Sequence, residues 1–213
     1  MSYVNGEQTS HAWKKGKYIT FGNKKMSIPL FDIPSRITCP GKTPLCQKYC
    51  YAQKTEQLFP NVLGKRVNNL ALTKKKEFVD TIVMELEEVA FIPYVRIHGS
   101  GDFYSQAYLN KWVEIANRMP ERTFLAFTKA FHLNYSKIPD NFKLYFSVWN
   151  DTDTSKIKNP DIRIAYTLID FKWAIAKGID KFFDLSNATK CSGHCDKCLV
   201  CFNNTGNVYF PIH

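Results

Sequence analysis

The alternation of strand-like and helix-like segments in the middle of the chain is the feature that constrains its fold most. Period-two apolar patterns predict four strands, in "YVRIHGSGDF", "TFLAFTKA", "FKLYFSVW" and "IRIAYTLI". The first two strands are separated by the amphipathic stretch "SQAYLNKWVEIANRM", a predicted helix that Ser105 can cap. Strands that alternate with helices favour a parallel sheet with right-handed crossovers.

Weaker patterns fill the rest of the predicted α/β fold. They predict an amphipathic helix from Leu63 to Ala90, a short helix around residues 132–136, a helix in "DFKWAIAKGI" and a further strand in "KFFDLS". About five to six strands are too few for a closed eight-stranded barrel. We therefore expect a partial barrel or an open parallel sheet, with function at the carboxyl ends of the strands.

The length and composition favour one folded domain. The 213 residues are 45% hydrophobic and 15% aromatic, which is typical of a globule and not of a disordered chain. We divide this domain into an irregular segment with one short strand, "KYITF" (1–37), an α/β core (38–190) and a C-terminal cysteine-rich loop (191–213). The absence of a signal-peptide pattern and of a bilayer-length apolar run predicts a cytoplasmic protein without a membrane partner.

The charge of the chain is weak evidence about partners. Its net charge of +10 and pI near 9.2 predict a surface that attracts polyanions, so a nucleic-acid partner is one interpretation. The lysine run at 74–76 falls in a predicted helix, where it is typical of a solvated face, and no nucleic-acid-binding motif accompanies it.

The seven cysteines fall into two sets at opposite ends of the core. The first cysteine set, in "TCPGKTPLCQKYCYAQ", comprises Cys39, Cys46 and Cys50. The C-terminal cysteine set, in "CSGHCDKCLVCF", comprises Cys191, Cys195, Cys198 and Cys201. In a reducing cytosol, clustered cysteines bind metal or carry out redox chemistry more often than they form disulfides. Both sets are therefore candidate metal ligands.

The C-terminal cysteine set has the spacing C-x3-C-x2-C-x2-C. Four thiolates so close in sequence suit either tetrahedral zinc or an iron–sulfur cluster. The nearly continuous spacing favours an iron–sulfur cluster, and a structural zinc loop is the alternative. His194 is a substitute ligand within the same loop.

The first cysteine set has the spacing C-x6-C-x3-C and stops at three thiols. A closed structural zinc site requires four ligands. Two arrangements fit: a remote ligand, such as a cysteine of the C-terminal set, completes the shell, or one coordination position is open to a small ligand.

Three cysteines in a loop ahead of a partial α/β barrel resemble the radical S-adenosylmethionine superfamily. The resemblance implies a [4Fe-4S] cluster on Cys39, Cys46 and Cys50, with one iron open to S-adenosylmethionine; Tyr49 supplies the aromatic residue that commonly precedes the third cysteine. It also implies a cofactor-binding turn in "HGSGDF", formed by Gly99, Ser100, Gly101 and Asp102. The cysteine spacing is wider than the superfamily's usual C-x3-C-x2-C.

The segments "CYA", "HGSGDF", "AFTK" and "SVW" resemble, more closely, a phage-encoded family known as the gene product eighty-eight family. The resemblance runs from about Gly22 to Phe202 and implies a viral protein in the host cytoplasm. That family name implies little chemistry by itself.

These observations give one leading function and two alternatives. The leading interpretation is an iron–sulfur protein resembling a radical S-adenosylmethionine enzyme, with a second [4Fe-4S] cluster on the C-terminal cysteine set and an electron-donating redox partner. The first alternative is a non-catalytic iron–sulfur electron carrier or redox sensor. The second is a zinc-stabilised module that binds nucleic acid or protein. The sequence names no substrate and no oligomeric state.

Overall fold

The computed structural model of the chain describes residues 16–21, 28–168, 187–203 and 206–211. Within these ranges the strands are β1 (Thr20–Phe21), β2 (Pro29–Phe31), β3 (Tyr94–Ile97), β4 (Thr123–Thr128), β5 (Phe142–Trp149), β6 (Arg163–Leu168), β7 (Ala188–Lys190) and β8 (Asn207–Pro211). The helices are α1 (Pro44–Lys48), α2 (Tyr51–Leu58), α3 (Pro60–Thr73), α4 (Phe78–Glu87), α5 (Gln106–Arg118), α6 (Cys195–Cys198) and α7 (Val200–Asn203), with a 3-10 turn at Thr154–Lys156.

The described strands form one mixed sheet of the α/β class. Their order is β1-β2-β3-β4-β5-β6-β8-β7, and only the β1–β2 pair is antiparallel. The prediction of a mostly parallel sheet is confirmed, whereas the predicted strand number is wrong. The sheet has eight described strands because β2, β7 and β8 add to it. Two of these, β2 and β7, have three residues each, which is too short to show a period-two pattern. No barrel is identified among the described strands.

The four strands predicted in the middle of the chain are confirmed, and so is the helix between the first two. Strand β5 occupies the segment "FKLYFSVW" from end to end. Helix α5 begins after Ser105, whose hydroxyl accepts a hydrogen bond from the Tyr108 amide at 3.3 Å. This is the N-cap that the sequence predicted.

The predicted helix from Leu63 to Ala90 is wrong as a single element. It is interrupted after Thr73 and resumes at Phe78 as α4. The side chain of Lys111 stabilises the break, because its Nζ donates to the carbonyl oxygens of Thr73 (2.7 Å) and Lys75 (2.8 Å). These carbonyls have no partner within a continuing helix, and a cation satisfies them well.

The short helix predicted around residues 132–136 is also wrong. The segment forms turns, in which the Asn134 side-chain oxygen accepts from the Ser136 amide at 2.9 Å. Such a local side-chain bond competes with helix formation. The helix predicted in "DFKWAIAKGI" and the strand predicted in "KFFDLS" lie outside the described residues.

The two faces of the sheet are covered differently. On one face α4 and α5 pack against the sheet in a core that includes Phe31, Phe78, Trp112, Phe124 and Phe146. On the opposite face a smaller core brings Leu125, Tyr145, Ala165 and Val208 against Phe202 of α7. The C-terminal cysteine segment therefore lies on the sheet face that these helices leave uncovered. None of the helices in the described ranges is long and apolar enough to cross a bilayer.

Candidate functional site

The loop between β2 and α2 brings the first cysteine set together. Cys46 lies in α1, and Cys50 is the N-cap of α2, where its Sγ accepts from the Gln53 amide at 3.4 Å. The thiol of Cys39 lies near both, since the charges of Cys46 and Cys50 contribute to its raised pKa. All three cysteines are partly buried. Residues up to eleven positions apart thus converge in one place.

Asp151, which follows β5, anchors this loop to the carboxyl edge of the sheet. Its carboxylate accepts from the Thr43 hydroxyl at 2.7 Å and from the Leu45 amide at 2.8 Å. Thr43 is in turn the N-cap of α1, the helix that carries Cys46. The strand end therefore fixes the start of the helix that presents this thiol.

Two glycines let the cysteine loop approach the strand ends closely. A Cβ on Gly41 would collide with the backbone carbonyl of Lys129, which follows β4. Gly101 has a φ of +84°, and a Cβ there would collide with Ile33 and approach the Thr38 hydroxyl. A position with a left-handed backbone conformation and no room for a Cβ atom requires glycine. The sequence showed these residues, but not the contacts that require them.

Asp102, the last residue of the predicted cofactor-binding turn, joins the loop after β3 to the end of β4. Its two carboxylate oxygens accept from the Thr128 hydroxyl (2.6 Å), the Phe103 amide (2.7 Å) and the Lys129 amide (2.8 Å). It is 5% exposed, and burial raises its pKa although these bonds oppose the shift. The carboxylate therefore has a structural role in holding the strand ends together.

Lys129 places a buried amine beside the first cysteine set. Its Nζ donates to the Ser147 carbonyl at 2.8 Å and lies 5.3 Å from the centre of the Trp149 ring. Burial lowers the pKa of Lys129 to about 8, although nearby Cys46, Asp102 and Asp151 oppose the change. Most lysines at strand ends point into solvent, whereas this one is 6% exposed. It is positioned to offset negative charge on the sulfur atoms.

The predicted cofactor-binding turn at residues 99–102 contacts the cysteine loop and its supports. The carbonyl oxygen of Gly99 accepts a hydrogen bond from the hydroxyl of Tyr51, which is the residue after Cys50. The amide of Ser100 donates to Asp32 at 2.8 Å, and its hydroxyl donates to Glu56 at 3.2 Å. These bonds set the position of the turn relative to α2. Its role in holding a cofactor stays a prediction.

A buried ionic network beneath the turn was not predicted. Arg66 of α3 contacts the Asp32 carboxylate at 3.1 Å and the Glu56 carboxylate at 2.9 Å. Glu56 also accepts from the Ser35 amide (2.8 Å) and hydroxyl (2.6 Å). Desolvation opposes the ionisation of Glu56, but the bonds from Ser35 and Arg66 outweigh it and hold its pKa below the usual value. The network ties α2 and α3 to the end of β2.

His98, at the end of β3, is a core residue and not a charged group. Its Nε2 is 2.8 Å from the Tyr108 hydroxyl, and its ring packs edge-on against Phe103. Burial, reinforced by the charge of Arg96, lowers the pKa of His98 to about 3, so the ring is neutral at pH 7.

The C-terminal cysteine set lines a cleft on the face of the sheet opposite α4 and α5. Cys191 follows β7, Cys195 and Cys198 lie in α6, and Cys201 lies in α7. Leu199, with a φ of +46°, turns the chain between the two short helices. All four cysteines line the same cleft, which has about 460 Å³ of empty space, part of it open to solvent; His194 lines it as well. Burial raises the pKa of the Cys201 thiol to about 12, while Arg96 opposes the change.

The chemistry of the two donor sets fits a thiophilic metal. None of the seven cysteines is in a disulfide. Across the described ranges, no three His, Cys, Asp or Glu side chains are gathered closely enough to hold a metal ion. The thiols nevertheless lie near one another within each set, and soft sulfur donors select iron–sulfur clusters or zinc. Metal binding would have to displace protons from partly buried thiols with raised pKa values, such as Cys39 and Cys201.

Comparison with known proteins identifies relatives that cover most of the chain. The model of the family described as Gene product 88 matches residues 5–207. The Gene 88 protein of Mycobacterium phage L5 is 30% identical over 199 residues, covering 81% of each chain. The Gene 88 protein of Mycobacterium phage D29 is 29% identical over 200 residues, again covering 81% of each chain. No solved structure gives a significant match. The chain belongs to the Gene product 88 family.

Proposed function

We propose that the protein is an iron–sulfur protein in which Cys39, Cys46 and Cys50 hold a [4Fe-4S] cluster with one open iron. One observation carries the proposal: three thiols lie near one another at the carboxyl edge of a parallel sheet, and no fourth thiol in the described part of the chain lies with them. A purely structural metal has little use for an incomplete shell. The carboxyl edge is where α/β proteins bind their ligands.

The position of the loop supports a radical S-adenosylmethionine-like chemistry. The three cysteines follow β2, the first of the parallel strands, and the glycine-containing turn follows β3, its neighbour. When bound, such a cluster supplies one electron at a time and a coordination position for a chelating ligand. S-adenosylmethionine is the ligand that we propose for this position.

The residues around the first cysteine set would control its charge and access to water. Lys129 offsets negative charge next to Cys46, and the Trp149 ring shields that amine. Gly41 and Gly101 let the loop lie directly on the strand ends, which leaves little room for solvent beneath it. Asp151 and the Arg66 network hold the two helices, α1 and α2, that carry or flank the thiols.

We propose that the C-terminal cysteine set holds a second, auxiliary cluster, with zinc as the competing metal. The four thiols line one cleft, and the electrostatic partners of the Cys201 thiol include the other three. The thiols that act on the Cys39 thiol are those of Cys46 and Cys50. This grouping favours two separate centres over one shared centre. A phage-encoded protein of this kind would act with a redox partner in the host cytoplasm.

Anaerobic purification followed by iron, sulfide and zinc analysis tests the proposal. We expect a brown protein with about eight irons, or about four if the C-terminal set carries zinc. The Cys46→Ala variant should lose about four irons and keep the metal of the C-terminal set. A colourless wild-type protein that contains only zinc would refute the iron–sulfur assignment and favour a binding module.

A second measurement separates a radical enzyme from an electron carrier or redox sensor. The reconstituted protein is reduced with dithionite in the presence of S-adenosylmethionine, and free methionine is measured. Release of methionine by the wild type, and not by Cys46→Ala, supports the radical chemistry. Reversible reduction of the cluster without methionine release supports the non-catalytic alternative.

A further inference from the structure

Arg96 of β3 lies on the sheet face that the C-terminal cysteine segment covers. It lines the same cleft as the four C-terminal cysteines. Its guanidinium carbon is 4.2 Å from the centre of the Phe127 ring, and its Nε donates to the His98 carbonyl at 3.3 Å. Stacking and the Nε bond hold the planar group in one orientation.

The two terminal nitrogens of this guanidinium have no protein partner in the described part of the chain. No carboxylate within those ranges lies at ion-pair distance from Arg96, and its only hydrogen bond there uses Nε. Arg66 and Arg118 each contact a carboxylate, and Arg122 donates to two backbone carbonyls. A half-buried, oriented guanidinium with two free terminal amines has the geometry that binds carboxylate or phosphate bidentately.

The position of Arg96 places a bound anion beside the C-terminal cysteine set, whose four cysteines line the same cleft. The positive charge of Arg96 also acts on Tyr51, the residue after Cys50. The walls of the cleft beside it include Leu125, Phe127 and Phe210. An occupant therefore needs a negative group for the guanidinium and an apolar or planar body for these walls.

We propose that Arg96 anchors the carboxylate or phosphate of a small ligand whose apolar body lies against Phe127 and Phe210, beside the C-terminal cysteine set. The inference goes beyond the metal assignment, because it holds whichever metal the cysteines carry. The competing explanation is that Arg96 only balances the charge of metal-bound thiolates. That explanation predicts no binding of a diffusible anion.

The test uses the full chain, purified anaerobically with the metal it carries. The probes are benzoate and phenyl phosphate, with benzamide as the neutral control, and binding is followed by ligand-observed saturation-transfer NMR. We expect the two anions to bind and benzamide not to bind. The stronger of the two anions identifies whether the site suits a carboxylate or a phosphate.

Substitutions of Arg96 test whether its guanidinium binds the anion. Arg96→Gln should weaken the binding of the anion by at least about tenfold, because a hydrogen bond to a charged group contributes more than one tenfold step in affinity. Arg96→Lys should be intermediate, because it keeps the charge and loses the planar fork. Arg118→Gln is the matched control: it removes the same charge from the exposed outer side of α5 and should bind like the wild type.

Chemical modification tests the role of Arg96 in the wild-type protein, so the result does not depend on whether a variant folds. Phenylglyoxal modifies arginines, and the rate at each site is read by peptide mass spectrometry. Benzoate should slow the modification of Arg96 several-fold and leave Arg118 unchanged. Equal rates at Arg96 with and without the anion, or equal affinity in Arg96→Gln, would overturn the proposal. Anion binding by a protein without iron would uphold it and separately refute the iron–sulfur assignment.

Discussion

Removing the guanidinium of Arg66 should destabilise the protein far more than removing that of Arg118. Both arginines contact carboxylates, but the side chain of Arg66 is 7% exposed and its partners Asp32 and Glu56 are 15% and 10% exposed. The Arg118 and Asp80 side chains are 42% and 77% exposed. Arg66→Met leaves two buried carboxylates without a cation, whereas Arg118→Met leaves one carboxylate in water.

The size of the expected loss of stability follows from the burial of each ion pair. Removing one partner of a buried ion pair costs about 3–5 kcal/mol, whereas an exposed pair is worth about 1 kcal/mol or less. In a domain of this size, each kcal/mol corresponds to about 2–4 °C in Tm. We therefore expect Arg66→Met to lower Tm by about 6–20 °C and Arg118→Met to lower it by less than about 4 °C.

Thermal unfolding, followed by far-ultraviolet circular dichroism under reducing and anaerobic conditions, measures both variants. Metal content is determined on the same samples. Because Arg66 also donates to the Ala52 carbonyl of α2, at 3.1 Å, we expect Arg66→Met to lose metal from the first cysteine set first. Equal losses of Tm in the two variants would refute the argument from burial.

Three further predictions follow from single contacts. Gly101→Ala should lower the free energy of unfolding by about 1–3 kcal/mol, because it combines a positive φ with a collision. Gly64→Ala, in the open middle of α3, should raise it by up to about 1 kcal/mol; urea unfolding measures both, and equal effects would contradict the prediction. The folded-state pKa of Glu56 is depressed, so its ionised form stabilises the fold above the unfolded pKa near 4.5 and this contribution is lost as pH falls through the folded value. The stability difference between the wild type and Glu56→Gln should therefore shrink below about pH 4.5 in urea titrations, and a constant difference would count against the assignment. Asp151→Asn should weaken the anchor of α1 and raise the rate of Cys46 alkylation in the metal-free protein, whereas an unchanged rate would show that α1 is held by other contacts.

The site was predictable where its signal is local in sequence. Cys39, Cys46 and Cys50 stand out by residue type and spacing, and the four central strands by their period-two pattern. The turn at residues 99–102 stood out because a glycine-containing segment follows a strand. None of these signals gives the direction in which a side chain points.

The buried ionic network around Arg66 and the guanidinium of Arg96 in its cleft were not predictable in the same way. Arg66 and Arg96 are charged residues in a helix and a strand, where the usual expectation is a solvated side chain. Their burial depends on contacts with Asp32, Glu56 and Phe127, which lie 34, 10 and 31 positions away along the chain.

The sequence alone determined the α/β class, the direction of the main strands and the residues of both cysteine sets. These follow from short-range periodicity and from the chemistry of sulfur, which depend on few neighbours. The tertiary structure decided that β2, β7 and β8 join the sheet, that the helix breaks between Thr73 and Phe78, and that Arg96 lies in the cleft lined by the C-terminal cysteine set. These depend on pairings between distant segments, in which the burial of apolar faces overrides local preference.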